Sequence, residues 1–350
     1  MTNRILTFNN ASSTRSLFAF TLLFVAVAGC GSSGSKGASP PFPQSNDAAK
    51  NTVANDPNCT SLGDFYWEIG NTDGPLVSGA VGTTYSFSTA MNIASASKLI
   101  FGSYVVERFS TDLSKAEAQA MRMESGYVSL QYQSCVDSAT VYDCYSAPHV
   151  YPNLLNKNNS DLTDADVGKF YYNGGHFQWY ADVGLNLGDR TNDTLATEMK
   201  SQLGQELNIA YSSPQLAAGA HMSAADYAQF LRKILSGGLA IRDHLGEDPV
   251  CTDPSTCDTA IYSPVSPYAW HYSWGHWIED DPSNGDDGAF SSPGAFGFYP
   301  WIDASKKYYG ILARKAGTVD FSQGEIVSAA EESVLCGRLI RAAFLTGIEQ

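Results

Sequence analysis

Six cysteines, Cys59, Cys135, Cys144, Cys251, Cys257 and Cys336, constrain this chain more than any other feature. An even set of cysteines in a chain with an export leader reads as a disulfide framework. Cys135 and Cys144 are close enough in sequence to staple one loop, and Cys251 and Cys257 another. Cys59 then pairs with Cys336, which joins the two ends of the folded region. No Cys-x-x-Cys spacing occurs, so neither a zinc ribbon nor a thioredoxin-like site is expected.

The leader is residues 1–29. Arg4 and Arg15 precede the apolar run from Leu17 to Ala28, which is too short to span a membrane comfortably and fits a signal h-region. Its ending, Val27-Ala28-Gly29-Cys30, resembles the lipobox of bacterial lipoproteins. That resemblance implies cleavage before Cys30, acylation of its thiol, and a mature protein anchored by lipid in the cell envelope. Residues 30–57, rich in Gly, Ser, Pro, Asn and Ala, read as a flexible tether. The seventh cysteine of the chain is thereby accounted for.

The remaining stretch, 58–347, has the size and apolar content for a large core: 43% hydrophobic and only 16% charged residues over the 350-residue chain. A formal charge of −15 argues against nucleic acid as a partner, because phosphates need a basic surface. Phe65–Gly70 and Leu76–Val81 flank Asn71-Thr72-Asp73-Gly74 and predict a hairpin. Leu99–Phe109 predicts a helix. Ser114 with Glu117 and Ser223 with Asp226 predict capping boxes opening two more. Strands follow at Tyr272–Glu279, Ala295–Ile302 and Tyr308–Arg314, and a closing helix at about 326–345. Strands at both chain ends with helices between them predict an α+β fold. It would be an antiparallel sheet built from both ends and flanked by helices, with an inserted helical lobe at about 105–225.

Several catalytic signatures are missing. No G-x-S-x-G, H-E-x-x-H, Walker A or G-x-G-x-x-G occurs. The acidic run Glu279–Gly288 fails the EF-hand pattern at its third position, so it reads as a solvated turn. What stands out is Ser95-Ala96-Ser97-Lys98 at the start of a predicted helix. There the serine and lysine share one face, and a lysine aimed at a hydroxyl is one way to make serine nucleophilic without histidine. A second S-x-x-K, Ser33 to Lys36, sits in the tether. Some seventy residues later comes Tyr171-Tyr172-Asn173 before Gly174, with Tyr151-Pro152-Asn153 as a poorer competitor.

Ser95-x-x-Lys98 followed by Tyr171-x-Asn173 resembles the motif pair of the serine β-lactamase and penicillin-binding-protein superfamily. The branch is that of class C β-lactamases and family VIII carboxylesterases. The segment Leu216–Phe230 and the aromatic strands around Trp274 and Trp301 resemble that branch in order and spacing. The resemblance implies a β-lactamase/transpeptidase-like fold without metal or organic cofactor. In it Ser95 attacks a carbonyl, and Lys98 and Tyr171 move its proton. Tyr171 would do so as a phenol of lowered pKa, and Asn173 positions the substrate. The family's third motif, Lys-Thr-Gly or His-x-Gly, is matched only by Ser292-Pro293-Gly294, without the cation. Ser292, Gly294 and Ala295 would then wall the substrate site. The oxyanion would rest on the Ser95 N–H and one from the Gly294–Ala295 edge, since Pro293 has none. A missing cation points away from carboxylate-bearing substrates, toward a small-molecule ester or amide. The alternative is a catalytically inactive lipoprotein of this fold, serving as a cell-envelope binding module.

Overall fold

Asn71 folds its carboxamide back onto the N–H groups of Asp73 and Gly74, so the chain reverses there and two long strands pair. They are β1 (Phe65–Asn71) and β2 (Gly74–Val81). The computed structural model describes residues 45–150, 157–265, 268–316 and 327–350. Residues 1–29, read as a leader, Cys30 and Tyr151 lie outside them.

β1 and β2 form one edge of an eight-stranded sheet. The other members are β3 (Val250–Cys251), β4 (His271–Ser273), β5 (His276–Glu279), β6 (Ala289–Ser291), β7 (Tyr299–Ile302) and β8 (Tyr309–Ala313). The order is β2-β1-β8-β7-β6-β5-β4-β3, antiparallel throughout, with Trp67 opposite Leu312 where the two chain ends meet. This is the α+β sheet built from both ends that the sequence predicts. Tyr272–Glu279, expected as one strand, is a hairpin. Gly275 adopts φ +82, which favours glycine, and turns the chain between β4 and β5.

Five helices matter most here: α1 (Ser45–Asn55), α2 (Ser97–Phe109), α3 (Asn192–Leu203), α4 (Ala224–Leu235) and α5 (Val327–Thr346). The first corrects an expectation. The end of the stretch read as tether is helical and packed, with Ala48, Ala49, Thr52 and Val53 buried. Three apolar or small residues within two turns supply a stripe that a composition rich in Asn and Ala conceals. Disulfides join Cys59 to Cys336, Cys135 to Cys144 and Cys251 to Cys257. Among the described residues no helix is long and apolar enough to cross a membrane.

The acidic run is a solvated turn only in its middle, where residues 282–285 are exposed, while carboxylates on either side are engaged. Glu279, Asp287 and the Tyr299 hydroxyl converge on Arg341 of α5, which is 1% exposed. Asp286 pairs with Arg338 one turn earlier. These contacts clamp α5 to the sheet.

α2 lies directly on the other side of the β4–β5 turn. A side-chain carbon at Gly102 would come within 2.1 Å of the Trp274 carbonyl, and one at Gly275 within 2.4 Å of the Lys98 carbonyl. Backbone therefore touches backbone. The first turn of α2 is held at a fixed height above the sheet, and the short turn that leads into it carries the candidate nucleophile.

Candidate active site

Ser95 sits in a short 3-10 turn, Ala94–Ala96, that runs straight into α2. The Ala94 N–H and the carbonyls of Ala94, Ser95 and Ala96 are all tied down. Ala94 adopts φ +46, an uncommon conformation for a residue with a Cβ, and the Asn92 carboxamide accepts its N–H at 2.7 Å. Ser97 donates to the Ala94 carbonyl, Tyr227 of α4 to the Ala96 carbonyl at 2.9 Å, and Ser292 to the Ser95 carbonyl at 2.9 Å. The hydroxyl of Ser95 is left facing a cleft.

One helical turn on, Lys98 reaches back along the same face and donates to Ser95 Oγ at 2.8 Å and to the Ala217 carbonyl at 3.1 Å. The lysine is 4% exposed. Burial lowers its pKa to about 7, and no carboxylate contributes to hold the charge. Its Nζ also stands 4.6 Å from the centre of the Tyr172 ring.

Tyr172, not Tyr171, is the tyrosine at the serine. Its hydroxyl is in hydrogen-bond contact with Ser95 and with the Trp277 side chain, and its ring stacks on Trp277 at 5.1 Å. Tyr171 points the other way, against Tyr262 at 5.4 Å. The cause is strand alternation. Phe170–Tyr171 pairs with Ala260–Tyr262, and the Tyr172 N–H continues the ladder to the Tyr262 carbonyl. Phe170 and Tyr172 therefore share a side, and both rings meet Tyr272 and Trp277. The sequence carries this signal. Phe170 marks the core side, and i+2 parity then selects Tyr172. The motif spacing selects the wrong neighbour.

A second expectation also changes. Burial raises the Tyr172 phenol to about 12, with hydrogen bonds to Ser95 and Trp277 only partly offsetting it. This tyrosine is a neutral donor, not a phenol of lowered pKa. The tandem tyrosines are held by His176, a residue that motif reading passes over. Ser125 donates its N–H to Nδ1, which leaves Nε2–H to bind the Tyr171 carbonyl at 2.9 Å. Burial lowers the pKa of His176 to about 4, so the ring stays neutral.

Asn173 lines the cleft, but its amide is engaged. Oδ1 accepts from the N–H groups of Leu130 and Gly175, and Nδ2 donates to the Leu130 carbonyl at 3.2 Å. It shapes the cleft wall instead of reaching toward Lys98. On the far side Ser292 anchors the Ser95 backbone, as above. Gly294 is pressed so closely against the Ile93 carbonyl that a Cβ would lie 2.2 Å from it. Its N–H goes to the Phe298 carbonyl at 2.8 Å. Ala295 follows at the cleft edge. Among the described residues, no Lys, Arg or His other than Lys98 lines the cleft around Ser95. His276 near the β4–β5 turn is structural. Its Nε2 accepts from the Gly246 N–H, and burial lowers its pKa to about 4.

No protein-family model matches the sequence, and no curated protein matches it. Solved structures do match the fold. A putative β-lactamase from Bacteroides dorei is 18% identical with a TM-score of 0.56, over 81% of this chain and 93% of that one. A putative 6-aminohexanoate-dimer hydrolase from Bacillus anthracis is 17% identical with a TM-score of 0.53, over 83% and 82%. A D-stereospecific amidohydrolase from Streptomyces is 12% identical with a TM-score of 0.51, over 83% and 98%. Identities this low speak for architecture alone. The chain has the fold of the serine β-lactamases and penicillin-binding proteins.

Proposed function

We propose that this protein is a serine hydrolase that forms an acyl-enzyme on Ser95 and hydrolyses an uncharged ester or amide bond. The observation that carries the reading is the 2.8 Å contact between Ser95 Oγ and a buried lysine with no counter-ion. With its pKa near 7, Lys98 is unprotonated in about half of the molecules at neutral pH, and in that form it accepts the serine proton as Oγ attacks. Tyr172, a neutral phenol beside Oγ, passes a proton to the leaving group and recovers it from Lys98. The oxyanion rests on the N–H groups of Ser95 and Ala295, because that of Gly294 is already used. Water then releases the acyl group, with Lys98 again as base. The absence of a cation on the Ser292-Pro293-Gly294 wall supports substrates without a carboxylate at that position. The reading includes export and acylation of Cys30 as the membrane attachment. Three disulfides fit an oxidising compartment.

The test is labelling by a fluorophosphonate probe, followed by turnover of p-nitrophenyl esters. Wild type reacts at Ser95, and Ser95→Ala, with an unchanged circular dichroism spectrum, does not. Label that persists in Ser95→Ala sinks the assignment. No label and no turnover in wild type would instead favour the non-catalytic binding module. For the anchor, radiolabelled palmitate enters wild type but not Cys30→Ser.

A further inference from the structure

The cleft at Ser95 has two arms, which share Ser95, Tyr172, Pro264 and Ala295. One passes Leu130 and Gln215 toward Phe296. The other is walled by Tyr268, Trp270, Trp277, Val265 and Val334, and among the described residues its single charged lining residue is Glu331 of α5. Tyr268 stacks on Trp270 at 5.1 Å, Trp277 on Tyr172 at 5.1 Å, and the two tryptophans meet edge to face at 6.3 Å. Apolar and aromatic surface thus makes almost the whole wall.

Glu331 is half-buried, and among the described residues its carboxylate has no ion pair or hydrogen bond. Its neighbour Glu332, by contrast, is exposed and pairs with Arg314. Arg338 lies 5.4 Å from the centre of the Tyr268 ring and 6.0 Å from that of Trp270, and is committed to Asp286 and the Asn284 carbonyl. The Tyr268 phenol registers this setting. Burial raises its pKa, the Arg338 charge opposes the rise and the Glu331 charge adds to it. Aromatic faces with one unpaired carboxylate form the chemistry that recognises an ammonium group, through cation–π attraction and a direct charge pair. The same carboxylate repels an anionic substrate from an arm whose neighbouring cation, Arg338, is already paired.

We propose that this arm is a binding subsite for an ammonium group, primary or quaternary, carried by the substrate a short apolar chain away from its scissile carbonyl, with Glu331 as the specificity-determining residue. The assignment of the subsite to substrate rests on the reading of Ser95 as nucleophile. The subsite itself is tested without turnover.

Calorimetric titration of Ser95→Ala at fixed ionic strength would use three probes: hexyltrimethylammonium, its neutral tert-butyl isostere and hexanoate. The ammonium probe is expected to bind about tenfold more tightly than the neutral one, with hexanoate weakest. Glu331→Gln in the same background removes that preference, Glu331→Asp retains part of it, and Glu332→Gln retains all of it. The last variant separates a local contact from the general attraction of a chain with charge −15. Equal binding of the three probes, or a preference that survives Glu331→Gln, overturns the proposal. Ammonium preference without fluorophosphonate labelling of the wild type would keep the subsite and remove the hydrolase. Labelling without ammonium preference would do the reverse.

Discussion

Lys98 and Arg341 are buried to almost the same depth, 4% and 1% exposed, and the protein treats the two charges in opposite ways. Around Arg341, burial alone would lower the pKa, but Tyr299, Glu279 and Asp287 outweigh it and hold the guanidinium firmly charged. Every nitrogen has a partner between 2.7 and 2.8 Å, and the plane lies over Trp301. Around Lys98 there is one hydroxyl, one carbonyl and an aromatic face, and the ammonium is easily lost. A fully paired cation is a fastener. An unpaired one can act as a base, the role proposed for Lys98, and its lack of a counter-ion is a cost to stability.

The comparison is most exposed to failure at Lys98. Lys98→Met is expected to lower kcat/KM for a reactive ester by about a thousandfold, a typical loss for a general base. It should also raise the stability of the fold at neutral pH, by about 1–3 kcal/mol, because an unpaired buried charge is replaced by thioether. The sign follows from the pKa. Folding depresses it from 10.5 to about 7, so its contribution to stability is full above 10.5 and is lost as pH falls through 7. The gain of the variant over wild type should therefore shrink as pH rises toward 10. Urea unfolding of both proteins at pH 7 and about pH 9.5 checks this. A destabilised Lys98→Met at pH 7 would break the contrast.

Arg341→Met should do the opposite. Removing one member of a buried network strands Glu279 and Asp287, and a loss of about 3–5 kcal/mol is expected. In urea titrations the midpoint falls. The rate at which folded molecules react with a fluorophosphonate stays within about twofold of wild type, since α5 touches Ser95 only across the cleft. A site that loses reactivity in proportion to stability would mean that the two buried cations are coupled.

Next in size are the tandem tyrosines. Tyr172→Phe keeps the ring beneath Lys98 but removes the hydroxyl, so kcat falls by about a hundredfold. The acid limb of the pH–rate profile stays near 7, where Lys98 sets it. Tyr171→Phe, facing Tyr262, should change kcat by less than about twofold. The reverse ranking would restore the motif-derived assignment.

These two tyrosines also mark where the sequence stops being legible. Ser95 and Lys98 are three residues apart, across a 3-10 turn that runs into α2, so their contact is local and a spacing rule finds it. The hairpin at Asp73-Gly74, the capping boxes at Ser114 and Ser223, and the order of strands at the two ends are equally local. Parity with Phe170 selects Tyr172 only once the segment is extended, and what extends it is a two-residue parallel pairing with Ala260–Tyr262, ninety residues away. Arg341 and Glu279 meet for the same kind of reason. Each looks like an ordinary surface charge until α5 lies across the sheet. The helix at Ser45–Asn55 was hidden because its burial depends on a partner at the far end of the chain.

The smallest expected effect bears most directly on why Lys98 is a base. If its lowered pKa comes from burial without a counter-ion, then supplying a carboxylate in the same cleft should undo part of the shift. Asn173 lines that cleft beside Lys98 and Ala217, and Asn173→Asp changes little in volume while adding a negative charge. It forfeits the bond from Nδ2 to the Leu130 carbonyl but leaves an oxygen to accept from the Leu130 and Gly175 N–H groups. An opposite charge nearby favours the ammonium, so the acid limb of kcat/KM should move up from near 7 by roughly one unit. The rate at pH 9, where Lys98 is mostly neutral in both proteins, should fall much less than the rate at pH 7. An acid limb that stays in place would assign it to a different group and leave Lys98 without its claim to be the base.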